Sequence, residues 1–289
     1  MTADTTGEQD LRAEEWDSMV KGFALQEFKM KQLVMINTSK SWINHYYRET
    51  ATELEGGAGS AVKGIPRLAN FPYGEVSWTL VSAYIEKYGM EGVISWEDAM
   101  TDNIDVVART LLRIARAVAY AVDTQIYSVL LAAVGGTVTV TAGYEWNSGT
   151  VANRDPIDNI LESKEKLADN NFDPDANESF LVMNQAEYRY LLGNSKVINN
   201  PTFKGADVVK NGVVGMICGY KILVSPVVTT DTGTLALIAK ECGTWKQAAP
   251  LTTFTKPDQG IKYTIRAFEM GVCQATTPNA IILITNTAA

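Results

Sequence analysis

Between residues 102 and 134 the apolar positions Ile104, Ala108, Leu111, Ala115, Val118, Val122, Ile126, Val129 and Ala133 follow one another every three or four residues, which puts them on a single stripe of an α-helix. Thr101 or Asp102 offers an N-cap oxygen, and Gly135-Gly136 ends the run. At ~1.5 Å per residue such a helix is roughly 50 Å long, more than a compact domain of this size needs. The opposite face carries Asp102, Asp105, Arg109, Arg113, Arg116, Tyr120, Asp123 and Tyr127. It reads either as a solvated surface or as a contact face whose arginines pair with acids of a neighbour, a task that the rigid guanidinium fork suits. Residues 117–134 hold one charge, Asp123, with Gln125 beside it. That fits a buried amphipathic helix rather than a membrane span, and no membrane anchor is expected.

Before this helix, residues 11–31 repeat Trp16, Met19, Val20, Phe23, Leu25 and Phe28 at loosely helical spacing. An aromatic stretch follows with little helical order, including Trp42, Tyr46 and Tyr47. From residue 49 the chain turns to Thr and Glu, then Gly56 to Ser60, then Pro66 and Pro72, an extended irregular segment. Val76, Trp78 and Leu80 alternate as on a strand over 76–81, and Gly89, Gly92 and Trp96 lead out of it. After the long helix the pattern predicts a strand at 138–141 and a polar loop to Asn153. A helix follows from Pro156 to about residue 169, then a strand at 180–183 and a helix at 186–192. Strands are predicted at 212–217, 220–224, 235–239, 262–274 and 280–285. The fold class is α+β, with neither a βαβ series nor a repeat.

The chemistry of the chain excludes more than it suggests. A formal charge of -8 argues against gripping nucleic acid through a basic surface, because phosphate neutralisation needs clustered Lys and Arg. Cys218, Cys242 and Cys273 are far apart and odd in number, so they read as reduced thiols, and zinc is not expected. His45 is the single histidine and sits among Trp42, Tyr46 and Tyr47, where a packed or surface role outweighs that of a catalytic base. No nucleophile elbow or metalloprotease helix is present. The glycines of 56–60 lack the Lys-Ser/Thr ending of a phosphate cradle. Asp173-Pro-Asp175-Ala-Asn177 begins like a calcium loop, but it lacks the glycine at its sixth position and has Asn184 at its twelfth. No catalytic residue, cofactor or metal is expected. The polar, acidic start of the chain is not a signal peptide.

Several stretches together resemble the HK97-like major capsid proteins of tailed bacteriophages and their archaeal relatives. They are the helix A-R-T-L-L-R-I-A-R-A-V-A-Y-A-V-D-T-Q-I at 108–126, after a Gly/Pro segment; P-I-D-N-I-L at 156–161 with Lys166-Leu167; and F-L-V-M-N-Q at 180–185 with Glu187-Tyr188 and Leu191-Leu192. The tail adds G-Y-K-I at 219–222, Ser225-Pro226, K-Y-T-I-R at 262–266 and P-N-A-I-I at 278–282. No one motif is specific; the succession spans most of the chain.

The resemblance implies four parts: an N-terminal arm over 1–48, an extended loop over 49–100, a peripheral domain over 101–150 and 246–289 that holds the long helix, and an axial domain over 151–245. It implies a non-enzymatic subunit that assembles through pentamers and hexamers into an icosahedral shell around double-stranded DNA, in a virion put together in the host cytoplasm. Expected partners are other copies of the chain, a separate scaffolding protein, a portal protein and a decoration protein. Scaffolding is assigned to a separate protein because no charged helical pre-domain precedes the arm, and a sequence starting at Met1 suggests an arm that maturation does not trim. Expected inter-subunit contacts are Trp16, Phe23, Phe28, Trp42, Tyr46, Tyr47, Lys63, Arg67, Arg109, Arg113 and Arg116. Lys63 is also where a covalent cross-link of the kind some relatives form could run, although no partner residue matches.

Physical reasoning supports an assembling subunit independently. An arm this aromatic would be insoluble unless another surface covered it, and a 50-residue irregular segment is unusual unless it reaches a neighbour. Two other readings stay open. One is an encapsulin-like nanocompartment, a shell of the same fold that loads cargo enzymes. The other is a soluble enzyme or small-molecule binding protein with an unfamiliar site.

Overall fold

A computed structural model describes residues 19–20, 28–48, 66–68, 70, 78–100, 104–194, 197, 215–258 and 260–288. Most of the expected helix over 11–31 and the glycines of 56–60 lie outside these residues. The described chain begins with a 3₁₀ turn, Met30–Gln32, then strands β1 (Met35–Thr38), β2 (Ile43–Arg48), β3 (Thr79–Tyr84) and β4 (Glu86–Ser95). A short helix α1 (Trp96–Met100) and the long helix α2 (Ile104–Ala132) follow. Next come β5 (Gly136–Thr139), α3 (Pro156–Asp169), β6 (Ser179–Met183), α4 (Gln185–Leu192), β7 (Met216–Ile217), β8 (Tyr220–Val224) and β9 (Thr234–Ile238). A long hairpin of β10 (Thr244–Asp258) and β11 (Lys262–Gln274) and the strand β12 (Ile281–Thr285) complete the order.

At 29 residues, α2 is about 43 Å long. Leu111, Ala115, Val118, Val122, Ile126 and Ala133 are buried, as the stripe requires, and Ile114, Ala119 and Leu130 join them. The apolar arc is therefore wider than the stripe read from sequence. Asp123 and Tyr127, expected on the outer face, are also buried. The physical reason is that other chain segments cover the flank of the helix. The backbone N–H groups of Lys29 and Met30 donate to Asp123, and the Tyr127 hydroxyl donates to the Gly233 carbonyl at 3.0 Å.

Helix α2 lies across a four-stranded sheet ordered β1-β10-β11-β4, against β4 and β11. Gly92 makes the close approach feasible: a Cβ there would fall 2.5 Å from Ile114 Cδ1 and 3.1 Å from Thr110 Cγ2. Strand β10 was not anticipated. It contains Pro250 and Pro257, and its pairing with β11 shifts register between Ala249 and Thr252, so Pro250 falls in an irregularity where its missing N–H breaks no ladder bond.

A six-stranded mixed sheet, ordered β5-β12-β9-β6-β8-β7, forms the second body of the core. Its central strands β6 and β9 are buried at every position. Helix α3 packs on it and starts as the sequence predicts, with Pro156 in its first turn and Asp155 accepting from the Asp158 backbone N–H. Helix α4 is opened by a capping box of Asn184 and Glu187. Strands β5 and β12 hydrogen-bond to each other, and β12 to β9, so both belong to the sheet built mainly from residues 151–245.

Candidate assembly surfaces

Strands β2 and β3 form a ribbon of their own, paired antiparallel from Ile43 with Tyr84 to Arg48 with Thr79. Directly opposed residues share a face, so Ile43, Tyr84, Tyr47 and Leu80 stand together, with His45 Nδ1 2.8 Å from Ser82 Oγ between them. Trp42 and Trp78 are exposed just before β2 and β3. Trp42 is 65% exposed, Tyr47 and Tyr84 62% and Leu80 56%. The other face, with Tyr46 and Val81, is half-buried. A lone two-stranded ribbon is marginal in water, and contiguous exposed apolar surface of this kind marks an interaction site.

Of the sequence-derived contact residues, Trp42, Tyr46 and Tyr47 lie on this ribbon or at its edge, and Arg67 is exposed. Trp16, Phe23 and Lys63 lie outside the described residues. Phe28 is partly buried against the core, with Lys31 Nζ 3.6 Å above its ring. Arg109, Arg113 and Arg116 project together from the exposed side of α2. Ile43, Trp78, Leu80 and Tyr84 are not among the expected contacts: the alternation at 76–81 puts Trp78 and Leu80 on one side of a strand, but only the pairing of β2 with β3 sets Leu80 and Tyr84 beside Ile43 and Tyr47.

Residues 28–35 are tied into the core by several long-range hydrogen bonds. Asp123 on α2 accepts from the backbone N–H of Lys29 at 3.0 Å and of Met30 at 3.1 Å, which caps the 3₁₀ turn. Burial pushes its carboxyl up to about 6, against the opposing pull of those N–H donors and of Lys31 and Lys29. Lys29 Nζ donates to the Val224 carbonyl at 3.0 Å. Lys31 Nζ lies 2.7 Å from both carboxylate oxygens of Glu269, which is fully buried and also accepts from Trp245 Nε1 and Gln247 Nε2. Desolvation holds the Lys31 ammonium below its usual range, with Glu269 opposing it. A cavity of about 430 Å³ opens beside this corner, lined by Lys29, Arg116, Tyr120, Asp123 and Pro226 among others.

A third buried acid, Glu187, lies at the six-stranded sheet. It accepts from the Asn184 and Asp231 backbone N–H groups and from the hydroxyls of Thr234 and Thr287, four donors and no cation. These interior acids have every oxygen engaged by protein, so they join chain segments rather than waiting for a substrate.

Cys218, Cys242 and Cys273 are free thiols; burial pushes Cys242 up to about 12 and Cys273 higher still. Among the described residues no group of three His, Cys, Asp or Glu side chains could hold a metal. In the stretch that begins like a calcium loop, Asp173 Oδ1 accepts from the backbone N–H of Asp175 and Ala176, and Asp175 pairs with Lys164. Among the described residues no helix is long and apolar enough to cross a membrane.

With this geometry in hand, known proteins supply the context. Among solved structures, a virus-like particle from Pyrococcus furiosus superposes with a TM-score of 0.63 at 10% identity, covering 94% of this chain and 99% of that one. The mature capsid of bacteriophage PhiM1 gives 0.62 at 17% identity, with 90% and 87% covered. A phage-related protein from Bordetella bronchiseptica gives 0.63 at 16% identity, with 95% and 97% covered. No curated protein matches by sequence. The architecture is the HK97-like fold, an α+β class. A family described as phage capsid protein matches residues 79–282, from the outer strand of the ribbon to the last strand of the core, and the chain belongs to that family.

Proposed function

We propose that this capsid protein assembles with copies of itself, through pentamers and hexamers, into an icosahedral shell that encloses double-stranded DNA. The observation that carries this reading is the β2–β3 ribbon, whose exposed Trp42, Tyr47, Leu80 and Tyr84 need covering by a second subunit. The root of the arm supports it: residues 28–35 are tied into the core, which leaves the ribbon projecting from a fixed base. The subunit contributes no catalysis in this reading. It acts in the virion after assembly in the host cytoplasm, with a separate scaffolding protein, a portal protein and a decoration protein as partners.

The four-part division is proposed with two adjustments that follow from strand pairing. Because β2 pairs with β3, the extended loop begins before Ile43 rather than at 49, and the arm ends there. Because β5 and β12 lie in the six-stranded sheet, the axial body includes them, and the peripheral body keeps α2 and the β10–β11 hairpin.

A second reading is a nanocompartment shell of the same fold around protein cargo. Negative-stain electron microscopy of the purified chain, with and without a candidate scaffolding protein, tests both. Closed shells, tubes or rings of five and six are expected, and nucleic acid or protein inside separates the two readings. A monomer or dimer under every condition refutes both.

A further inference from the structure

Two charged helix faces in this chain are exposed, and no ion pair among the described residues joins Arg109 or Arg113 of one to the acids of the other. On α2 the exposed side from Arg109 onward carries Arg109, Arg113 and Arg116 and no acid, since the only carboxylate of that stretch, Asp123, is buried. On α3 the exposed side carries Asp158, Glu165 and Asp169, with Glu162 between them. The lysines of α3 do not neutralise this face outright: Lys164 is drawn to Asp175, and Lys166 is shared between Glu162 and the Thr137 carbonyl. Arg109 and Arg113 make no ion pair among the described residues, and neither do Asp158, Glu165 or Asp169.

The two faces match in spacing as well as sign. The arginines step by four and then three residues, and so do Asp158, Glu162 and Glu165, so both rows run along one side of a helix at the same pitch. Within one subunit the two helices pack on different sheets, α2 on the four-stranded and α3 on the six-stranded one.

Resting on the capsid reading, we propose that the Arg109–Arg113–Arg116 face of α2 in one copy docks against the acidic face of α3 in the next copy. The contact is heterologous, different patches on the two partners, so it propagates around a ring instead of closing a two-fold dimer. Like meeting like is disfavoured for both faces, which gives the contact direction as well as attraction. Packaged DNA would satisfy the arginines but leave the acidic row unmatched; a neighbouring copy accounts for both.

Charge reversal tests this. Arg109→Glu/Arg113→Glu and Glu165→Lys/Asp169→Lys change exposed positions only, and each free double variant should melt within about 2 °C of wild type. Each double variant is expected to raise the concentration needed for assembly, read by light scattering and electron microscopy at 0.1 M salt, by about tenfold or more. The fourfold variant carrying both reversals should return to within about threefold of wild type. Raising salt to about 1 M, where the screening length is about 3 Å, should weaken wild-type assembly and shrink the differences. Reversals without effect in an assembling wild-type background overturn the contact alone, as does a fourfold variant no better than the doubles. A wild-type chain that forms no shell, tube or ring fails the capsid reading and the contact with it.

Discussion

Replacing Glu269 by Gln removes one charge and almost no volume from the corner where Lys31 Nζ sits 2.7 Å from both carboxylate oxygens. The carboxylate is fully buried, and the lysine side chain keeps only 15% of its exposure. Gln offers one acceptor in place of two and sets an N–H₂ group among the donors of Lys31, Trp245 and Gln247. Desolvation already lowers the Lys31 pKa, and its main opponent would be gone. Removing one partner of a buried pair costs about 3–5 kcal/mol; the residual exposure of Lys31 puts this case near 3 kcal/mol. At about 2–3 °C per kcal/mol for a chain of this size, the melting temperature should fall by roughly 6–9 °C. Urea unfolding of the unassembled subunit at neutral pH, followed by tryptophan fluorescence, measures the free energy. Lys31→Met completes a double-mutant cycle, because with the cation gone Glu269 retains only neutral donors. The expected coupling is on the order of 1.5–3 kcal/mol. A loss below about 1 kcal/mol for Glu269→Gln, or costs that simply add in the double variant, would refute the view that this pair anchors the arm.

Three further outcomes are expected. Asp123 has a folded-state pKa raised to about 6 from 3.8, so the native state binds its proton more tightly than the unfolded chain. Its contribution is most favourable below pH 4 and is lost as pH rises through 6. Relative to Asp123→Asn, wild type should therefore gain stability on going from pH 7 to pH 4.5, by about 2 kcal/mol; parallel pH profiles in urea melts would contradict this. At Gly135 a Cβ would lie 2.5 Å from the Pro278 carbonyl oxygen and 2.7 Å from Asn279 Cα, both backbone atoms, so Gly135→Ala should cost about 1–3 kcal/mol in the same melts. Tyr47→Ser with Leu80→Ser removes exposed apolar surface from the ribbon. It should leave the melting temperature of the free subunit within about 2 °C while abolishing assembly by electron microscopy, and shells of normal yield would contradict the role given to that face.

Elements whose signals are local were legible in the sequence. Helix α3 has the expected bounds because Pro156 and an apolar stripe announce it, and β8 and β11 match residue for residue. Strand β4 was hidden by Gly89 and Gly92, which read as breakers, although Gly92 is there to let α2 lie close. Strand β10 was hidden by its prolines. What sequence could not reveal is partnership across distance. Lys31 and Glu269 are 238 residues apart, Glu187 and Thr287 100, Met30 and Asp123 93. A charged residue read alone defaults to the surface, so the periodicity puts Asp123 on the outer face and nothing in the local sequence marks Glu187 or Glu269 as buried. The ribbon was half legible: its aromatics stood out, but which of them share a face depends on a strand more than thirty residues downstream.

The arm and the ribbon show two ways of stabilising adjacent stretches of chain. From Met30 to Val34 the side chains of Met30, Leu33 and Val34 are buried. The backbone there is tied to turns of the main fold: Lys240 N–H donates to the Leu33 carbonyl at 2.7 Å and Met35 N–H to the Gly243 carbonyl at 3.0 Å, before β1 joins β10 in parallel. Within ten residues the same chain enters β2, whose pairing is with β3 alone and whose large side chains face outward. The first stretch draws its stability from the subunit and stays put when the subunit is free. The second buries only part of one face, so in the proposed shell much of its stability comes from the surface that covers it. Covering Trp42, Tyr47, Leu80 and Tyr84 buries apolar area at roughly 25 cal/mol per Å², so assembly and ribbon order are gained together. A surface that is ordered by its partner, hung from a root that is not, lets one sequence reach a neighbour without weakening its own core.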